Sequence, residues 1–137
     1  MTHEQTVRRM IAAWSDQEDE TVEELYTPDA AERWPGGRAH EGVDAMMDAE
    51  REYRSAFPDY ELEVLGRVFE GDDWAAHRWR GVATHEGEFN GVEATGTEVE
   101  YEGMAIHRFE GDRIAESWWI ADRLAQLRQI GAVEVDG

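Results

Sequence analysis

The spacing of apolar residues changes once along the chain, near Pro58, and this change divides the chain into a helical part and a strand-rich part. Before Pro58, apolar residues recur every three or four positions, as on one face of an amphipathic helix. Three helices are predicted, within residues 2–17, 19–30 and 43–59. Thr2 is the predicted N-cap of the first helix, and Pro28 stops the second. The stretch ERWPGGRAHEG that follows is predicted to be a loop.

After Pro58, apolar and polar residues alternate, which is typical of strands with one buried face. Two strand pairs are predicted, each around a turn that begins with Glu-Gly-Asp, at residues 70–73 and 110–113. A short helix is predicted to begin after Asp122. Helices bunched at one end of an antiparallel sheet indicate an α+β fold. We therefore expect one domain over residues 1–137, with a curved antiparallel sheet wrapped around the N-terminal helices.

The alternation also predicts which strand residues face the core. Glu98, Glu100 and Glu102 share one face, which must be exposed to solvent. The opposite face is predicted to be buried and carries these residues: His77, Trp79, His85, Val99, Tyr101, Ala105, His107, Phe109, Ser117 and Trp119. The outer face of the last strand is predicted to carry Ile114, Glu116 and Trp118. A β-bulge would reverse such an assignment, and the glycines Gly81 and Gly103 are the expected places for one.

The charge of the chain restricts its partners and its environment. The sequence has 32 Asp and Glu residues against 13 arginines and no lysine, which gives a net charge of −19. Such a charge repels nucleic acid and anionic membranes, so neither is expected as a partner. Because the apolar runs are periodic, we predict a folded domain with an acidic surface suited to a halophile rather than a disordered chain. The charged, helical N-terminus does not resemble a secretory signal, so a cytoplasmic location is expected.

An ordered series of motifs runs through most of the chain. It comprises TPDA, HEG and FPD, then THEGEFNG, ATG, GMAIHRF, GDRIAESW, the aspartate of IAD, and LRQIG. With these motifs the chain resembles the SnoaL-like polyketide cyclase family, also called ester cyclases. That family shares the cone-shaped nuclear transport factor 2-like (cystatin-like) fold with ketosteroid isomerase. The resemblance implies activity without metal or other cofactor, and a homodimer formed through the outer face of the sheet. On that face, Arg78 and Arg80 could pair with carboxylates of the partner. The predicted cavity, apolar and aromatic, suits a small hydrophobic ligand.

The resemblance also implies positions for the catalytic groups. The founding enzymes of the family close a polyketide ester by an intramolecular aldol reaction, with an aspartate on the last strand as base and a histidine on the preceding strand. In this sequence those positions hold Trp119 and Ala105, and neither side chain can transfer a proton. The nearest replacements are His107, two residues further along the same face, and Asp122, which also suits the N-cap of the last helix.

Three inward histidines, His77, His85 and His107, are candidates for proton transfer because the ordinary pKa of histidine is about 6.5. Each could equally be a neutral, hydrogen-bonded core residue. Three imidazoles could also bind zinc, but their spacing matches no zinc signature, so no metal is predicted. The predicted catalytic residues are His107, Asp122 and His85. The predicted ligand-binding residues are Trp79, Tyr101, Trp119, Trp34 and His40; Trp34 could lid a ligand or lie at a dimer contact.

Two functions remain open from the sequence. The first is a cofactor-independent lyase, isomerase or cyclase that acts on a small apolar carbonyl compound, with His107 or Asp122 as base and Tyr101 or His85 at the developing oxyanion. The second is a non-catalytic ligand-binding or assembly domain that has lost the family's aspartate and histidine. Trp119 is expected to make the cavity small and apolar. An open cavity that a histidine or carboxylate reaches would favour the enzyme, and a cone filled by side chains would favour assembly.

Overall fold

The computed structural model describes residues 1–134, which fold into four helices and six strands. The helices are α1 (His3–Ser15), α2 (Asp19–Leu25), α3 (Val43–Ala56) and α4 (Arg123–Gln129). The strands are β1 (Tyr26–Trp34), β2 (Arg38–Glu41), β3 (Glu61–Glu70), β4 (Trp74–Thr84), β5 (Glu98–Glu110) and β6 (Arg113–Ala121). This arrangement confirms the predicted α+β fold. The last three residues of the predicted domain lie outside the described residues.

The strands form one sheet in the order β2-β1-β6-β5-β4-β3. The three pairings among β3, β4, β5 and β6 are antiparallel as predicted, and so is the pairing of β1 with β2. The pairing of β1 with β6 is parallel, which departs from the predicted antiparallel sheet. Strands β1 and β2 were not predicted from the sequence; their residues were assigned to the end of the second helix and to a loop. Helix α2 instead ends at Leu25, before Pro28, and the chain continues in extended conformation from Tyr26. Gly36 and Gly37, both at positive φ, turn the chain back into β2.

The helices pack on the inner face of the sheet as their apolar faces predict. Thr2 caps α1 in a capping box with Gln5, and α1 packs against β3. Helix α3 buries Met46 and Met47 and ends two residues before Pro58. Within residues 1–134, no helix is both long enough and apolar enough to cross a membrane.

The predicted faces of β4 and β5 are confirmed, and one assignment on β6 is wrong. Glu98, Glu100 and Glu102 are exposed, whereas the residues that alternate with them turn inward. On β6, Ile114 is fully buried rather than on the outer face. The register between β5 and β6 shifts where Phe109 pairs with Ile114, so Ala115 is an extra residue in β6 and reverses the alternation there.

The outer face of the sheet carries a patch of exposed apolar side chains across four strands. Ile106 faces Trp118 across the β5–β6 ladder, and Met104 faces Ile120. Met104 is 58% exposed, Ile106 46% and Ile120 53%. Trp118 stacks on Trp74, with ring centroids 5.7 Å apart. The whole set, called here the outer apolar patch, consists of Phe69, Trp74, Met104, Ile106, Trp118 and Ile120.

Candidate active site

A cavity of about 820 Å³ opens between α3, the β1–β2 hairpin and the inner face of the sheet. This volume falls within the range that accommodates small organic ligands. All five predicted ligand-binding residues lie on its wall. The aromatic lining residues are Trp14, Trp34, Tyr53, Tyr60, Trp79, Phe89, Tyr101 and Trp119. The cavity is less apolar than predicted, because it is also lined by Glu32, Arg38, His40, Glu50, Glu52, Glu88 and Arg123.

Two glycines leave room for the aromatic rings of β4 and β5 to lie against the sheet. Trp79 pairs with Gly103 across the ladder, and Gly81 pairs with Tyr101. A Cβ atom on Gly81 would lie 2.8 Å from Cζ of Tyr101, and one on Gly103 would lie 2.4 Å from Cζ2 of Trp79. Each ring therefore lies against the backbone of the neighbouring strand. The two rings meet edge to face, with centroids 5.8 Å apart.

Trp119, where the resemblance implied the family's aspartate, forms part of the cavity wall. Its ring stacks on Trp34, with centroids 6.0 Å apart, and meets Trp79 edge to face. Trp34 is the last residue of β1 rather than a loop residue. The indole of Trp119 is therefore packed between rings from β1 and β4 and is only 6% exposed.

His107 faces inward as predicted, but it does not line the cavity. Its ring lies beyond Trp119, whose indole it meets edge to face at 5.3 Å. Nε2 of His107 is 2.9 Å from Nε2 of His77, and Nδ1 is 2.6 Å from Oγ of Ser117. Burial, and then the nearby His77, hold the pKa of His107 well below its ordinary value. Both rings are therefore neutral and hydrogen-bonded at neutral pH.

His85 and Asp122 also lie away from the cavity lining. His85 is fully buried, with Nδ1 3.0 Å from Oγ1 of Thr95. Asp122 accepts a hydrogen bond from the backbone N–H of Ala125 at 3.0 Å, which confirms it as the N-cap of α4. The catalytic roles predicted for His107, His85 and Asp122 remain predictions. In the described part of the chain, no group of three or more histidine, aspartate and glutamate side chains is arranged to bind a metal ion.

Glu32, which was not predicted from the sequence, is a half-buried carboxyl group on the cavity wall. In the sheet, Glu32 lies between Ser117 of β6 and His40 of β2. Its Oε1 accepts a hydrogen bond from Nε1 of Trp34 at 2.9 Å. The signal available in the sequence was the alternation of Glu32 with Trp34 just before a Pro-Gly-Gly turn, which is typical of a hairpin strand.

Burial raises the pKa of Glu32 to about 7. The negative charge of Glu50 adds to this increase, whereas the Trp34 hydrogen bond and the Arg38 guanidinium oppose it. Desolvation dominates because burial removes water from around the carboxylate, and the Trp34 hydrogen bond and the Arg38 charge replace only part of that hydration. Close to neutral pH, Glu32 therefore exists in comparable amounts as acid and as base.

Glu50 is a second carboxyl group on the wall, and one of its two oxygens, Oε1, is hydrogen-bonded to protein partners. It accepts hydrogen bonds from Oη of Tyr60 and from Nε of Arg54, the latter at 3.2 Å. Burial raises its pKa, and these hydrogen bonds oppose the increase. His40 lies beside Glu32 near the mouth of the cavity, and burial followed by the charge of Arg38 lowers its pKa. Glu32 is thus the lining carboxyl group that combines a raised pKa with only one side-chain hydrogen bond among the described residues.

Solved structures share this fold over nearly the whole chain. IdmH from Streptomyces antibioticus, provisionally assigned as a polyketide cyclase, is 28% identical, with a TM-score of 0.85 over 96% of this chain and 99% of that one. AclR from Streptomyces galilaeus, provisionally assigned as a hydroxylase, is 26% identical, with a TM-score of 0.84 over 96% of this chain and 97% of that one. No curated protein sequence matches the chain significantly. The SnoaL-like polyketide cyclase family matches residues 4–130, and the chain therefore belongs to that family.

Proposed function

We propose that the protein binds a small hydrophobic carbonyl compound in the cone cavity and transfers a proton with Glu32, as a cofactor-independent cyclase, isomerase or lyase. The observation that supports this most strongly is the carboxyl group of Glu32 on an aromatic wall, with a pKa of about 7. A general base is most effective when its pKa lies near the working pH, and enzymes raise the pKa of glutamate by burial for this purpose.

Glu32 supplies what the family positions on β5 and β6 have lost. Trp119 and Ala105 cannot transfer a proton, and His107 is neutral and lies behind the wall. Because β1 runs parallel to β6, Glu32 lies beside Ser117, two residues before Trp119. A carboxyl group on the adjacent strand therefore serves the same cavity. This makes Glu32 a better candidate than the bases predicted from the sequence.

The lining of the cavity supports a substrate with an apolar, ring-containing body. Stacked indoles contact such a body over large flat areas, and the few polar groups between them fix its orientation. The acidity of a C–H bond next to a carbonyl group gives a single base a proton to remove. The two relatives named above carry different provisional activities, cyclase and hydroxylase. Membership of the family therefore does not identify the reaction class, which is inferred from the residues of the site.

Exchange of C–H protons for deuterium tests this function without knowledge of the product. The protein is incubated in D₂O with a panel of small aromatic and alicyclic ketones, and deuterium incorporation next to the carbonyl group is followed by mass spectrometry. Wild-type protein should catalyse exchange in at least one ketone, and Glu32→Gln should reduce that rate by two or more orders of magnitude. Glu52→Gln is the matched control, because Glu52 lines the same cavity but is exposed. Equal rates in wild type and Glu32→Gln would refute the proposal.

A second candidate function is a ligand-binding domain without chemistry, which the loss of both family residues at Trp119 and Ala105 favours. The same panel separates the two functions. Ketones that raise the melting temperature of the wild type without any exchange would support the binding domain. The open cavity of about 820 Å³ argues against an assembly domain whose cone is filled by side chains.

The proposal includes a homodimer formed through the outer apolar patch and a location in a salt-rich cytoplasm. The patch supports the dimer because most of its side chains are exposed on a chain of charge −19. Arg78 and Arg80 remain proposed partners for carboxylates of the second copy. Within one chain, Arg78 lies 3.5 Å from Glu102, and Arg80 lies 2.6 Å from Glu63. The outer apolar patch would supply the apolar contacts of the dimer.

A further inference from the structure

Four side chains from α3, β5 and α4 form one hydrogen-bonded chain that ends at the cavity. Arg123 donates to Oε1 of Gln126, and Nε2 of Gln126 donates to Oη of Tyr53 at 3.0 Å. The phenol oxygens of Tyr53 and Tyr101 share the last hydrogen bond. Gln126 is fully buried, and both tyrosines line the cavity. The C-terminal helix therefore contacts the cavity through a defined polar chain.

The direction of this chain follows from the chemistry of its members. A guanidinium group can only donate, so the amide oxygen of Gln126 faces Arg123 and its NH₂ group faces Tyr53. Tyr53 therefore accepts a hydrogen bond. The two phenols together own two O–H protons, and one of these lies between them. Among the described residues, no side chain or backbone group accepts the other proton.

Cooperativity favours the arrangement in which the surplus proton lies on Tyr101. Hydrogen bonds that run head to tail polarise one another, so the order Gln126 to Tyr53 to Tyr101 is favoured. The Tyr101 ring is held against Gly81, with its Oη 3.1 Å from where a Cβ of that glycine would lie. Burial, with the adjacent Tyr53, raises the pKa of Tyr101 well above its ordinary value. Tyr101 therefore stays protonated and keeps an O–H that it can donate to a ligand.

We infer that this surplus O–H of Tyr101 binds the carbonyl oxygen of the ligand, and that Gln126 and Arg123 are positioning residues that keep it free for that purpose. The inference rests on the proposed binding of a carbonyl compound in the cavity, and it does not require Glu32 to act as a base. A fixed donor at a carbonyl oxygen would also stabilise the enolate that forms when a neighbouring proton is removed. The ligand should therefore carry a ketone or aldehyde oxygen attached to its apolar body.

The test uses a fluorescent aromatic ketone, 6-propionyl-2-(dimethylamino)naphthalene, whose emission moves to longer wavelength when its carbonyl oxygen accepts a hydrogen bond. The ketone should bind the wild-type protein with emission at the longer wavelength typical of a hydrogen-bonded carbonyl group. Tyr101→Phe should bind it with emission at shorter wavelength. Tyr60→Phe is the matched control, because Tyr60 also lines the cavity but donates its proton to Glu50. This control should leave the emission maximum unchanged.

Gln126→Glu separates positioning from packing, because the carboxylate has nearly the same shape but only accepts hydrogen bonds. Tyr53 would then donate to residue 126 and Tyr101 would donate to Tyr53, so no phenolic proton would remain for the ligand. The emission should shift to shorter wavelength, as in Tyr101→Phe, although the phenol is still present. Wild-type emission from either variant would overturn the inference, and so would failure of the wild type to bind the ketone. The role of Glu32 as the base is tested separately, by the deuterium-exchange rate of Glu32→Gln.

Discussion

Replacing Glu32 by glutamine should make the folded protein more stable at pH 8 than the wild type. Glutamine keeps the oxygen that accepts the Trp34 hydrogen bond and removes the charge. The folded wild type must hold a carboxylate in a poorly hydrated site, whereas the unfolded chain hydrates it fully. A residue that costs stability in this way is typical of a functional site.

The magnitude follows from the pKa of Glu32, which burial raises from an ordinary 4.5 to about 7. Below pH 4.5 the carboxyl group is protonated in both states, so it contributes nothing. Between pH 4.5 and 7 the unfolded chain loses the proton and the folded chain keeps it, so the free energy of unfolding falls as pH rises. The difference corresponds to about 3 kcal/mol at most. Because Glu32 is only half-buried and faces solvent in the cavity, we expect roughly 1–3 kcal/mol.

Urea unfolding at constant KCl concentration measures this effect, since urea leaves the ionic strength unchanged. The free energies of unfolding of wild type, Glu32→Gln and the control Glu52→Gln are compared at pH 5, 6, 7 and 8, with m-values checked for equality. The advantage of Glu32→Gln over wild type should increase from pH 5 to pH 7 and level off towards pH 8, as the folded protein also loses the proton. The control should show no such increase. A constant difference between wild type and Glu32→Gln across this range would refute the raised pKa.

Three further predictions concern salt, assembly and the cavity wall. The melting temperature should keep rising between dilute and molar KCl, although the Debye length is already about 3 Å near 1 M, and a flat or falling curve would contradict the halophilic interpretation. Ile120→Glu in the outer apolar patch should give a monomer by light scattering in molar salt. Leu124→Glu, on the exposed face of α4, should leave a dimer. A monomeric wild type would refute the dimer. Gly81→Ala should displace the Tyr101 ring and weaken binding of the fluorescent ketone at least tenfold. Gly71→Ala is the control and should leave binding unchanged, because its Cβ would meet nothing closer than 3.8 Å. Unchanged binding in Gly81→Ala would show that the ring position is unimportant.

The sequence predicted those parts of the fold that depend on local periodicity. The switch from helical to alternating spacing near Pro58 located α1, α3 and the four strands that follow, and the alternation assigned the faces of β4 and β5. It failed for β1 because that strand is partly polar, contains Pro28 and pairs with β6, far away in sequence. The bulge at Ala115 left no trace in the pattern, because alanine fits either face.

The candidate site was predicted in its apolar part and missed in its acidic part. The alternation of residues along each strand predicted Trp79, Tyr101 and Trp119, because it identifies which face of the strand a residue lies on. Alternation does not show which residues of that face border the cavity, so it could not place His107 behind Trp119. Glu32 was hidden by composition, since one carboxylate among 32 acidic residues stands out only when its surroundings are known.

The most direct test of the central claim is the pKa of Glu32 itself. The protein is labelled with ¹³C at the glutamate side-chain carboxyl carbon, and the chemical shifts are followed by NMR from pH 3 to pH 9. The resonance that is absent from Glu32→Gln is assigned to Glu32. We predict a titration midpoint of about 7 for this resonance, well above the ordinary value of 4.5. A midpoint near 4.5 would contradict the assignment of Glu32 as the proton-transfer group.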